Sequence, residues 1–486
     1  MKWLPEGIVA NLGAPPPSRF VGADLAPVSA ERRTWGLWHF AALWVGLSVC
    51  IPTYMLAAAL IQSGLSWQWA LVAILLGNAV VLAPMLVNAH AGTRYGIPFP
   101  VYVRASFGLR GAHVPALLRG LVACGWFGIQ TWIGGLAIHE ILSLLWPAWA
   151  SLGGEWRWMA YGAPEYSAFL LFWVMNVYFI WAGTESIKWL ETAAAPLLIL
   201  AGLALLWWAQ SKVGGIGAML EGANSIGGSG AFSFGLFLPW VTAMVGFWAT
   251  LALSIPDFTR LATSQRAQAV GQTLGLLTTM PLFAFIGVAV TGATVKLYGE
   301  AIWNPVTLLA RLGRESGSMT VALVSLIVVL IATLTTNIAA NIVAPATAVA
   351  NLKPARISMR TGGMIAALAG ILLLPWRLLD TYQTWLLSYS GLLGAVLGVV
   401  VCDYLVVRRG ILDVPALYAE GGAYWGRGGV NTRAMIALAA GALVALAGVV
   451  IPTLGFLFSG AWFSAALVSF AVHWMLAPKL PALPAS

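Results

Sequence analysis

Stretches of about 20 consecutive apolar residues recur along this chain, and twelve of them are long enough to cross a bilayer as helices. They lie at roughly 36–61, 68–90, 115–146, 166–183, 187–210, 232–255, 271–296, 319–348, 360–376, 384–406, 433–455 and 458–477. Inside hydrocarbon each backbone N–H and C=O needs a partner within the protein, and unbroken apolar runs satisfy that demand as helices. Composition agrees, since 60% of the 486 residues are hydrophobic and only 8% are charged, too few for a soluble chain of this length. The expected fold class is therefore all-α integral membrane, with 12 transmembrane helices and the lipid bilayer as its solvent.

An even number of spans puts both termini on one side. Of the 25 Lys and Arg residues, six (Arg157, Lys212, Lys296, Arg311, Arg314 and Arg377) fall in the connections opposite the termini, which leaves 19 on the termini side. The positive-inside rule makes that side cytoplasmic, so a multi-pass protein of the cell (inner) membrane is expected. Residues 1–33 carry Pro, Arg and Asp without an apolar core, so no cleavable signal peptide is expected. Cys50, Cys124 and Cys402 sit in apolar segments without metal-ligand spacing, so neither a disulfide framework nor a zinc site follows. The net charge of +9 belongs to the loops, and no nucleic-acid partner, no cofactor and no sign of oligomerisation is read from it; a monomer is expected.

Three stretches put polar groups at membrane depth. In Gly125-Trp126-Phe127-Gly128-Ile129-Gln130-Thr131-Trp132, Trp126 and Gln130 are four residues apart and share one helix face. An unpaired carboxamide there costs roughly 2 to 7 kcal/mol, so Gln130 needs either a neighbouring helix or a bound polar ligand. The first span carries Gly46 and Pro52 and the sixth Pro239 and Gly246, a pairing of broken helices that points to an inverted-repeat transporter. Ordinary kinks are the other reading. In the eighth span Thr335, Thr336, Asn337 and Asn341 gather within two to three turns, with the two Asn on one face. Hydroxyls together with carbonyls freed at a broken helix would make a neutral oxygen cage suited to sodium.

Some connections have character of their own. The segment 94–111 reads as a bent, partly helical loop at the interface, and 301–314 as a short helix able to cap an external vestibule, with Trp303, Val306, Leu309 and Leu312 spaced for one apolar face. The Gly-rich stretch 214–230 lacks the Lys and Ser/Thr of a phosphate loop and is expected to be a flexible outer connection. Beyond about residue 477 the chain is Pro-rich.

These motifs carry a resemblance. The chain is similar to the nucleobase-cation-symport-1 family over most of its length, from Asp24-Leu25 and Arg33-Thr34-Trp35 to Asp403-Tyr404 and Arg408-Arg409. The most specific matches are residues 126–132, Gly246-Phe247-Trp248 followed by Ser254-Ile255-Pro256-Asp257, and 335–341. The resemblance implies a leucine-transporter-like five-plus-five inverted repeat with two extra C-terminal helices. That divides the chain into a tail 1–33, repeats 34–210 and 211–409, a cytoplasmic connection 410–432, two further spans 433–477 and a tail 478–486. It implies secondary active uptake of a nucleobase or related planar heterocycle of uracil, allantoin or hydantoin type. It places Trp126 and Trp248 on opposite faces of that ligand, Gln130 and Asn341 at its edge, and Asn337, Cys50 and Phe247 near it. It also places sodium on the carbonyls of Gly46, Val49 and Ala332 and the hydroxyls of Thr335 and Thr336. Two positions depart from the family pattern: Cys50 stands where a hydantoin-transporting member has Gln, and Phe247 replaces Gly, narrowing the pocket toward a small ring.

Carboxamides suit such a ligand, because each offers a donor and an acceptor to the alternating N–H and C=O groups of its edge. Proton-coupled carriers usually hold a titratable group within the membrane, and the middle of the first, third, sixth and eighth spans contains none, so sodium coupling is expected, with a proton-coupled cytosine or purine symporter as the alternative. His139-Glu140 is expected to be structural or interfacial, and Asp257 with Arg260 to form an ion pair closing the cytoplasmic side. Tyr389 and Gly391 of the tenth span are candidate outer-gate residues, with packing the other reading. Neither a nucleophile with its base nor a metal cluster is apparent, which disfavours a membrane enzyme; a channel is disfavoured by a pocket made to hold a solute.

Overall fold

The computed structural model describes residues 4–10, 13, 15–182, 184–227 and 232–478, with the side chains of 184–195 left aside. The helices that frame the molecule are α1 (Leu37–Ser48), α2 (Ile51–Gln62), α3 (Trp67–Tyr95), α4 (His113–Leu145), α5 (Ala163–Ala182), α6 (Thr184–Val213), α7 (Phe234–Ser254), α8 (Gln265–Tyr298), α9 (Pro305–Ser316), α10 (Met319–Asn341), α11 (Val343–Ala350), α12 (Met359–Leu372), α13 (Tyr382–Val401), α14 (Thr432–Val450) and α15 (Ala461–Leu476). Among the described residues nine helical segments are long and apolar enough to cross a membrane, and two bent pairs raise the number to as many as eleven. The ninth expected run gives only the 14-residue α12, which at 1.5 Å per residue spans about 21 Å. Among the described residues the one sheet is a hairpin, Arg157–Trp158 paired with Tyr161–Gly162, whose turn residues Met159 and Ala160 both have positive φ.

The first span breaks where the sequence suggested. α1 ends at Ser48, Val49 and Cys50 leave helical geometry, and α2 departs at 57°. Pro52 has no N–H to return to the Ser48 carbonyl, and the bend also frees the Gly46 carbonyl from the helical ladder. The sixth span does not break at mid-membrane: α7 runs unbroken through Pro239 and Gly246. Gly246 serves close packing, since an added Cβ would lie 2.9 Å from the Leu386 carbonyl and 3.0 Å from the Ser390 Cβ on α13. Within the Gly-rich connection, Ile216–Gly227 forms a helix on α8. Gly222 and Gly292 bring the two backbones into contact, so glycine there marks a helix crossing rather than a loose loop. Residues 228–231 and 479–486 lie outside the described residues.

The first and last described segments meet on one face, called here the termini face, where Leu4 lies against Gly410 and His473 against Asp403. The leading segment is bonded to it: Val9 N–H donates to the Arg94 carbonyl (3.0 Å), Val28 N–H to that of Gly96 (2.9 Å) and Arg33 to that of Thr93 (2.7 Å). Asp24 accepts from the Met359 N–H (2.9 Å) through its carboxylate and from Arg260 (2.9 Å) through its carbonyl, while Tyr418 donates to the Leu25 carbonyl (2.7 Å). The expected partly helical loop is present as the short helices Phe99–Tyr102 and Arg104–Phe107. Arg104 is fully buried between the Leu417 carbonyl and Asn351, and burial pushes its guanidinium down to about 10, which leaves it charged at neutral pH.

On the opposite face α9 is capped by Asn304, whose side chain accepts from the Val306 N–H (2.9 Å). Trp303, Asn304, Thr307 and Arg311 of that region, with Trp132 and Asp380, line a vestibule of about 850 Å³. His139 accepts from the Trp149 indole (3.1 Å) and Glu140 pairs with Arg314 (3.2 Å), structural contacts for both.

Candidate functional site

Midway along α4 the side chains of Trp126 and Gln130 are buried on adjacent turns. Trp126 donates its indole N–H to the Tyr389 hydroxyl (3.0 Å), and Tyr389 donates in turn to the Gly246 carbonyl (2.9 Å), so one phenol ties α4, α7 and α13 together. Tyr389 therefore sits beside the pocket at mid-helix and not at an outer helix end. Gly391 is packed against Ala445 and Ala461 of the two C-terminal spans, which gives it a packing role; neither residue is placed as an outer gate.

Phe247 bridges the two indoles, edge to face with Trp126 at 5.1 Å and with Trp248 at 4.8 Å between ring centroids. Those two legs hold the indole centroids to within about 10 Å of each other, and a flat ring between two flat faces needs about 7 to 8 Å. The two indoles and Phe247 form one aromatic cluster, called here the aromatic slot, and Phe247 stands between the indoles where the sequence reading expected only a narrowing. Trp248 further contacts Trp44 (5.0 Å) and donates to the Met280 sulfur (2.9 Å), and Tyr382 closes on Trp126 (5.9 Å).

The polar groups divide into spent and free. Asn337 is spent: its amide nitrogen reaches the Phe127 carbonyl (3.3 Å), Thr131 (3.1 Å) and Asn176 (3.1 Å), and its oxygen accepts from Asn341 (3.0 Å). It locks α4, α5 and α10 together and orients Asn341, rather than facing a ligand as expected. Gln130 is free, because its carboxamide oxygen is buried without a hydrogen-bond partner among the described residues. Cys50 caps the start of α2 and its sulfur lies 3.3 Å from the Thr53 hydroxyl.

The residues assigned to the ion lie on the broken first span and on α10. Thr336 donates to the Gly46 carbonyl across the gap between α10 and the broken span (3.0 Å), Thr335 donates to the Ala332 carbonyl (2.8 Å), and Val49 packs in one cluster with Ala332. Carbonyl and hydroxyl oxygens, all neutral, are the donor type that a small hard cation takes.

Asp257 does not pair with the Arg260 guanidinium: its carboxylate accepts from the Phe99 N–H (2.8 Å) and from Thr347 (3.4 Å). Arg260 turns to the Asp257 and Asp24 carbonyls instead, because a side chain three residues on reaches the backbone of its own turn more readily than the capped carboxylate. Arg119, which the sequence reading did not single out, is wholly buried in α4 and bonded to Thr250 (3.1 Å) and Ser254 (2.6 Å) of α7. A lone Arg near the start of the third apolar run is the signal that could have found it, since charges at membrane depth are functional by default.

A broken first span bonded to α10, with an aromatic cluster and polar side chains buried inside a helical bundle, defines a polytopic membrane carrier. A family model described as "Permease for cytosine/purines, uracil, thiamine, allantoin" matches residues 27–474. The chain is 40% identical to the purine-uracil permease of Arabidopsis thaliana over 94% of this chain and 78% of that one, and 40% identical to the allantoin permease of Bacillus subtilis over 94% and 93%. Among solved structures it matches Mhp1, a nucleobase-cation-symport-1 family transporter, in a closed conformation with bromovinylhydantoin bound, at TM-score 0.75 and 26% identity over 94% of this chain and 95% of that one. A sodium-coupled sialic acid symporter shares the fold at TM-score 0.62 and 14% identity, covering 93% and 92%. The chain belongs to the nucleobase-cation-symport-1 permease family, and it is a multi-pass transporter rather than an enzyme.

Proposed function

We propose that this permease is a sodium symporter importing a small planar N-heterocycle of the uracil, allantoin or hydantoin type. The observation that carries the reading is the Gln130 carboxamide oxygen, buried without a partner on the turn next to Trp126. A ligand N–H at the edge of a flat ring would satisfy it, with Asn341 held by Asn337 for the same edge and the indoles of Trp126 and Trp248 on the ring's faces. Entry of the ring requires Phe247 to rotate out of the slot. Sodium would take the Gly46, Val49 and Ala332 carbonyls and the Thr335 and Thr336 hydroxyls, freeing those hydroxyls from their present acceptors. Because the Gly46 carbonyl belongs to the broken first span, binding there orders the wall next to Cys50, and the two ligands favour each other reciprocally.

The termini face is taken as cytoplasmic from the distribution of Lys and Arg. Twelve crossings in a five-plus-five repeat with two added spans accord with α12, which starts at Met359 beside Asp24 on the termini face and leads to Asp380 in the opposite vestibule. The test is uptake of radiolabelled uracil, allantoin, hydantoin and cytosine into proteoliposomes with and without a sodium gradient. Saturable, sodium-stimulated uptake of one of the first three is expected; uptake that follows a proton gradient and ignores sodium removes the ion assignment.

A further inference from the structure

We propose that Arg119 sets the equilibrium between the closed pocket and the pocket open toward the termini face, acting as a positioning residue beneath the ligand. The inference rests on the transporter reading above. Arg119 lies seven residues before Trp126 in α4, two turns or about 10 Å nearer the termini face. Its partners Thr250 and Ser254 follow Trp248 in α7 toward the same face. The guanidinium thus spans α4 and α7 directly below the aromatic slot, where the helices must part for the ligand to leave.

The bonding is tight but incomplete. Nε donates to the Thr250 carbonyl (3.1 Å) and Nη2 to the Ser254 hydroxyl (2.6 Å), which itself donates to the Thr250 carbonyl (3.1 Å). Nη1 is buried with no partner among the described residues. The neighbouring carboxylate, Asp257, is committed to the Phe99 N–H and Thr347. Arg119 is therefore a buried cation hydrogen-bonded to two neutral oxygens, with one nitrogen unsatisfied and the Asp257 charge reaching it across space without a hydrogen bond. A charge so placed raises the energy of the closed arrangement, and water admitted when α7 leaves α4 restores its solvation. Loss of packing on opening is offset by hydration of this one side chain.

Two substitutions should then move the equilibrium in opposite directions, which a residue that merely glues the helices together would not do. Arg119→Met removes the charge and fills the space, favouring the closed state. Ser254→Ala keeps the charge but removes an acceptor, favouring the open one. The experiment reads hydrogen exchange of peptides covering 250–260 in the full-length purified protein, which needs no ligand, together with uptake and equilibrium binding of whichever of uracil, allantoin or hydantoin the unaltered protein takes. Exchange should slow in Arg119→Met and quicken in Ser254→Ala. Maximal uptake should fall at least about tenfold in Arg119→Met with the dissociation constant within about threefold, and Arg119→Lys should recover much of the rate. Faster exchange in both variants, unchanged uptake in Arg119→Met, or loss of binding by a folded Arg119→Met protein each overturns the proposal. Failure of the unaltered protein to bind any of the three compounds counts against the proposed substrate alone, because the exchange measurement stands without it.

Discussion

Gln130→Leu is expected to make the ligand-free protein more stable and the ligand-bound state weaker. In the structure the Gln130 carboxamide oxygen is buried without a partner, and such a group costs about 1 to 3 kcal/mol relative to an apolar group of the same shape. Leucine fills nearly the same volume, so that cost is removed and thermal unfolding in detergent should move upward by a comparable free energy. With ligand present the sign reverses. The ligand N–H that Gln130 would have met is left unsatisfied in the slot, again at about 1 to 3 kcal/mol, and at 1.4 kcal/mol per decade the dissociation constant rises about 5- to 140-fold. Thermal unfolding with and without saturating uracil, allantoin or hydantoin, with equilibrium binding of the same compound, measures both terms on one sample. A Gln130→Leu protein that is less stable without ligand would show that the oxygen is already satisfied. One that is more stable yet binds unchanged would take Gln130 out of the pocket.

Further expectations concern other parts of the site. Thr335→Ala combined with Thr336→Ala should raise the sodium concentration for half-maximal uptake at least about tenfold while changing the substrate dissociation constant much less; equal effects on both ligands would count against a separate ion site. Phe247→Ala removes a ring that touches both indoles, so the protein should lose about 3 to 5 kcal/mol of stability and accept bulkier ring substituents, read from competition by a series of substituted hydantoins; unchanged selectivity refutes the placement of Phe247 in the slot. Asn337→Ala should unfold more readily than Asn341→Ala, because Asn337 holds four groups and Asn341 one, and thermal scans of the two variants decide it.

What could be read from the residues alone follows from how local each feature is. The break at Val49 and Cys50 was legible because Pro52 removes one specific amide from the ladder, a covalent fact. The eighth-span oxygens were legible because hydroxyls at helical spacing must find something polar. The sixth span misled for the converse reason: Gly246 and Pro239 are compatible with a helix, and only the approach of α13 shows that Gly246 is there for room. The same holds for Gly222 and Gly292, whose meaning lies in each other. That Phe247 bridges two indoles, that Asn337 is spent on three helices and that Asp257 caps Phe99 are properties of distant segments brought together, which no single stretch records.

The leading ribbon has a consequence of a practical kind. Four parts of the chain, at 93–96, 260, 359 and 418, share it as their common fastening, and Arg260 and Tyr418 donate to its carbonyls from beneath. Trimming the protein back to residue 34 would strip those donors of their acceptors and unlace that whole surface at once, so shortened versions and bulky purification handles are best made at the far end.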